Sequence, residues 1–102
     1  MSAKVYTIEE LKIKIGKVLA DFPVQKAILF GSYAKGEADS KSDIDLVVDT
    51  NNQLRGLAFF GLRAELREKL KKDFDLIDKK SIIKGGRADK EIKKSGVVIY
   101  ET

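Results

Sequence analysis

A chain of 102 residues is long enough for one hydrophobic core and too short for two. It has no cysteine and no histidine, which excludes disulfide frameworks, zinc clusters, thiolate nucleophiles and the commonest general base; chemistry is left to carboxylates, hydroxyls, Lys, Arg and bound metal. With 43% hydrophobic and 35% charged residues and no apolar run near the roughly 18 residues of a membrane span, the chain reads as a cytoplasmic globular domain, and its +4 net charge is dispersed over helix surfaces rather than gathered for nucleic acid. The first four residues lack the apolar core of a signal peptide.

In chain order, Thr7 to Glu10 reads as a capping box opening a helix, with Ile8, Leu11, Ile15, Val18, Leu19 and Phe22 on one face and Pro23 closing the segment. Val24 to Phe30 reads as a strand. Gly31-Ser32 then turns the chain, Tyr33 to Lys35 can form a short helical turn, and a polar loop leads to a second strand, Ile44 to Val48. Leu54 to Lys72 is the longest helical segment, in spite of Gly56 and Gly61. Its apolar residues fall on two faces. Phe59, Leu62, Leu66 and Leu70 would cover a sheet, whereas Leu57, Phe60 and Ala64 either pack on the first helix or present a patch to a partner near the site. Phe74 to Asp78 reads as a third strand, Ala88 to Lys94 as a short helix and Val97 to Tyr100 as a last strand, an α/β pattern.

The chemistry gathers between Ile28 and Asp49. On a strand, Asp43 and Asp45 share a face, with Cα atoms about 6.5 Å apart. Two carboxylates ~5 Å apart repel by roughly 3 kcal/mol at an effective dielectric near 20, a large cost that a cation would reverse. Mg²⁺ prefers carboxylate oxygens plus substrate phosphates, so Asp-x-Asp on one strand face suits a metal-bound nucleotide; the alternative is an acidic edge facing water. Gly31 allows a phosphate to approach closely and Ser32 adds a donor. Neither a Walker A loop nor a G-x-G-x-x-G fingerprint is present.

Gly31-Ser32, ten residues, then Asp43-Ile44-Asp45 resembles the signature of the nucleotidyltransferase superfamily that includes DNA polymerase beta, and GSYAKGEADSKSDIDLVVD is most similar to its minimal nucleotidyltransferase (MNT) branch. The resemblance runs from Lys26 to about Tyr100. It implies a single nucleotidyltransferase domain over 1–102, a small mixed β-sheet with helices packed on one side, and a third acid on the strand after the long helix. That acid is Asp75, with Asp78 as its rival at the strand's far end. The implied roles are Asp43, Asp45 and Asp75 as catalytic and metal-holding carboxylates for two Mg²⁺ ions, and Gly31 and Ser32 as the cradle of an ATP triphosphate. Lys35 and Lys41 could add charge to that cradle, although solvated loop lysines need no such role.

The resemblance further implies an antitoxin that adds AMP to a tyrosine of a HEPN-domain toxin, the partner supplying the acceptor that this short chain lacks. Two competing readings are a non-catalytic subunit that neutralises its partner by contact, and a transferase acting on a small molecule or an RNA end. No residue marks an adenine pocket.

Overall fold

The computed structural model describes residues 4–102; the first three, read above for a leader, lie outside the described residues. Thr7 caps α1 (Ile8–Leu19): its hydroxyl accepts from Glu10 N–H at 3.0 Å, and the Glu10 carboxylate accepts from Thr7 N–H at 3.0 Å. The helix buries Leu11, Ile15, Val18 and Leu19, the stripe expected from its spacing.

The sheet runs β3-β2-β1-β4. Its strands are β1 (Lys26–Phe30), β2 (Ile44–Asp49), β3 (Phe74–Asp78) and β4 (Val97–Glu101). β1 pairs antiparallel with both β2 and β4, while β2 and β3 are parallel, which makes the sheet mixed. The parallel pair follows from its connection, because two parallel strands need a long crossover and α3 (Leu57–Leu70) provides it.

Alternation decides what each strand buries. Ala27 and Leu29 of β1 and Ile44, Leu46 and Val48 of β2 point into the core with Leu62, Leu66 and Leu70 of α3 and the buried stripe of α1. The expected arrangement of helices on one side therefore describes α1 and α3. The short α4 (Arg87–Ser95) lies instead over the other face, where Ile92 and Asp89 border a cavity of about 300 Å³ with Ile28 and Val47. It has no buried residue of its own.

The two-faced reading of α3 resolves in favour of exposure. Leu57 is 88% and Phe60 64% exposed, so neither packs on α1. They do not sit near the acidic residues, however. α3 begins where β2 ends, and its first turn shares a groove with Asp78 and Ser81, beyond the far end of β3 from Asp75. The helix starts three residues later than its apolar pattern suggests because Gly56 takes a left-handed φ of 58° at its N-terminus, leaving Leu54 buried outside it.

Candidate active site

Asp45 is the centre of the site. It pairs in register with Asp75 across the parallel β2–β3 ladder, and residues in register on neighbouring strands share a face. Asp43 lies just ahead of β2 and is exposed, as is Asp75; Asp45 is half-buried. Burial, first, and then the negative charges of Asp75, Glu91 and Asp43 push the Asp45 carboxyl up to about 6, with Arg87 acting in the opposite direction. Register and charge coupling thus bring Asp43, Asp45 and Asp75 to one end of the sheet. Asp78 lies elsewhere: it stands opposite Val48 at the far end of the ladder, and its carboxylate accepts from Lys80 N–H at 3.1 Å to cap a 3-10 turn. Asp49, on the same strand face by parity, serves a turn instead, accepting from Asn51 N–H at 3.1 Å.

Gly31 opens α2 (Gly31–Lys35) directly after β1, with φ at 73°. A Cβ on Gly31 would stand 2.0 Å from Oδ2 of Asp45. The glycine is therefore required twice, by its left-handed backbone and by the carboxylate lying against it. Ser32 follows, half-buried, and no side chain caps this helix start, leaving backbone N–H donors of the first turn beside the carboxylate end of the sheet.

Sequence reasoning missed Arg87 and Glu91, both on α4. Glu91 pairs with Lys35 at 3.5 Å and with Arg87 at 3.5 Å, so two cations are held at the edge of the acidic site. Their sequence context resembles any solvated helix, and only the packing of α4 against α2 and β1 carries them there. Lys35 thus has a specific partner, whereas Lys41 serves its own loop through a backbone bond to Asp39.

The donor set fits a hard divalent ion. All the acids are oxygen ligands, and Asp45 is pushed up by burial first and then by the neighbouring acids, with Arg87 offsetting only part of that push. Among the described residues no three such side chains stand close enough to hold an ion alone. Mg²⁺ is commonly held by one or two carboxylates, with the rest of its shell taken from substrate phosphates and water.

A mixed four-stranded sheet with paired acids at one end and a glycine-serine turn beside them defines a nucleotidyltransferase core. Residues 13–102 match the family described as "Polymerase beta, Nucleotidyltransferase", and the chain belongs to that family. The chain is 39% identical over 75 residues to "Putative protein adenylyltransferase MJ0435" of Methanocaldococcus jannaschii, covering 74% of this chain and 81% of that protein. Among solved structures, a toxin–antitoxin complex with AMP-PNP superposes with a TM-score of 0.77 at 31% identity, over 89% of this chain and 73% of that one. A complex of tri-AMPylated Shewanella oneidensis HEPN toxin with its MNT antitoxin superposes with a TM-score of 0.71 at 28% identity, over 94% and 74% of the two chains.

Proposed function

We propose that residues 1–102 act as one protein adenylyltransferase domain that transfers AMP from ATP to a tyrosine hydroxyl of a HEPN-domain partner, and that the chain is the antitoxin of that pair. The observation that carries this reading is the in-register Asp45–Asp75 pair set against the Gly31 turn. The adenylyl group and the partner are supported by the AMP-PNP and AMPylated-toxin complexes that this fold matches. A cytoplasmic location follows from the same reading.

In this assignment Asp43, Asp45 and Asp75 would hold Mg²⁺, while Gly31 N–H and Ser32 would hold the triphosphate. When bound, the metal neutralises phosphate charge and lowers the pKa of the acceptor hydroxyl. The acceptor oxygen bonds to the α-phosphorus, the bond from that phosphorus to the bridging oxygen breaks, and pyrophosphate leaves. A carboxylate of the site, Asp75, receives the hydroxyl proton. Lys35, about one helical turn beyond the cradle residues and paired to Glu91, would exchange that partner for phosphate.

The test is to incubate the chain with the HEPN-domain partner, Mg²⁺ and ATP labelled at the α-phosphate. Label on a partner tyrosine, lost with Asp45→Asn, is the expected result. A partner that stays unlabelled yet is neutralised equally by wild type and Asp45→Asn would overturn catalysis in favour of a binding antitoxin.

A further inference from the structure

Lys72 is 2% exposed, and a buried ammonium is costly unless hydrogen-bond acceptors surround it. One of its bonds is to the loop that delivers the acids: Nζ donates to the Ser40 carbonyl at 2.9 Å, across 32 residues of sequence. The loop, residues 36 to 43, is closed on itself around Asp39. Asp39 Oδ1 accepts from Lys41 N–H at 2.8 Å, Ser42 Oγ accepts from Asp39 N–H at 2.9 Å, and Ser42 N–H donates to the Asp39 carbonyl at 3.1 Å. Such a turn is stiff internally but needs anchoring to the body of the protein.

Two adjacent residues provide anchors on either side of Asp43. Lys72 holds Ser40, three positions before it, and the Asp73 carbonyl accepts from Ile44 N–H at 2.9 Å, one position after it. The same short segment leads into β3 and therefore also sets where Asp75 stands. Lys71 makes this possible. Its left-handed φ of 57° ends α3 and turns the chain so that the next side chain enters the protein instead of continuing along the helix surface.

We propose that Lys72 is a positioning residue, which by gripping the Ser40 carbonyl fixes Asp43 relative to Asp45 and Asp75 and so sets the affinity of the site for a divalent cation and its nucleotide. This rests on the transferase reading of the acids, but its test does not require transfer. Lys72→Met keeps the apolar stem and removes the donor; Lys72→Arg restores a cationic donor.

Backbone amide exchange at residues 39 to 44, Mn²⁺ binding to the whole chain, and KM and kcat for Mg·ATP are measured on each. Lys72→Met should speed exchange in the loop relative to α1 and weaken Mn²⁺ binding by about tenfold to a hundredfold, as loss of a residue supporting metal ligands does. KM should rise more than kcat falls, and Lys72→Arg should recover most of the affinity. A folded Lys72→Met with wild-type loop exchange and Mn²⁺ affinity overturns the proposal. Should Lys72→Met fail to fold, Lys72→Gln is measured in its place and judged by the same outcomes. Loss of fold in both also overturns it, because the amine would then serve the core and not the loop. Altered exchange and Mn²⁺ binding in a protein whose wild type transfers no nucleotide would reject the proposed function and leave the positioning role standing.

Discussion

Gly31 and Asp45 are a single packing unit, and each makes a prediction. Replacing Gly31 by alanine forces a Cβ into a left-handed backbone and onto the Asp45 carboxylate. We expect Gly31→Ala to lose about 1–3 kcal/mol of stability and nearly all nucleotide transfer, read by urea denaturation and by labelling. Wild-type stability would mean that α2 shifts freely, and the close approach would then matter little. For Asp45 the sign of the pH dependence follows from its raised pKa of about 6. The folded state then binds more protons than the unfolded state between about pH 4 and 6, so this contribution to stability is present below pH ~4 and lost as pH rises through 6. Discounted for solvent screening of a half-buried group, it is worth about 1–2 kcal/mol. In metal-free buffer Asp45→Asn should therefore be more stable than wild type at pH 7, with the difference shrinking towards pH 4. A difference that does not change with pH would mean that neither burial nor the neighbouring acids hold the Asp45 carboxyl above its ordinary range.

At the scale of elements, α3 holds both an improvable end and an unburied face. Lys71 occupies a left-handed C-cap where glycine is unstrained, and its exposed side chain makes a surface pair with Glu68 at 3.1 Å. Lys71→Gly is expected to raise stability by about 0.5 kcal/mol, the backbone gain exceeding the loss of that pair. A fall in the melting temperature would show instead that the unfolded chain's extra freedom dominates. On the other face, Phe60→Glu should change stability by less than ~0.5 kcal/mol, because the ring is 64% exposed. Marked unfolding would place that ring in the core. α4 contrasts with α3: nine residues with none buried make it the helix with the least apolar anchorage, yet it carries the two charged groups that border Asp45.

For the whole molecule, ligand binding and stability are linked, because only the folded chain brings Asp45 and Asp75 into register. On the proposed function, Mg·ATP at 100 times its dissociation constant should stabilise the folded state by about 2.7 kcal/mol, which for a domain of this size would raise the melting temperature by roughly 10 °C. Chelation with EDTA should reverse most of that gain, and Asp45→Asn should show little of it in either condition. An equal shift in both proteins would place nucleotide binding elsewhere. Among the described residues no helix is long and apolar enough to cross a membrane.

Local chemistry made much of this protein readable from sequence. The Thr7–Glu10 capping box, the period of α1, the alternation of β2 and the exact span of β3 are all set by interactions between near neighbours in the chain, so their pattern survives in one dimension. The glycine-serine turn and Asp43-x-Asp45 are equally local; the third acid is an implication of the family resemblance, and the ladder sets Asp75 opposite Asp45 and Asp78 opposite Val48. Tertiary structure decided what depends on residues distant in sequence. The contact of Gly31 with Asp45, the approach of Arg87 and Glu91 to the acids, the grip of Lys72 on Ser40, and the position of Phe60 at the opposite end of the sheet each join segments that local periodicity treats as independent. A lysine in a charged run reads as solvated until the turn before it is known to be left-handed; that one backbone angle, set by how α3 meets β3, carries Lys72 inside.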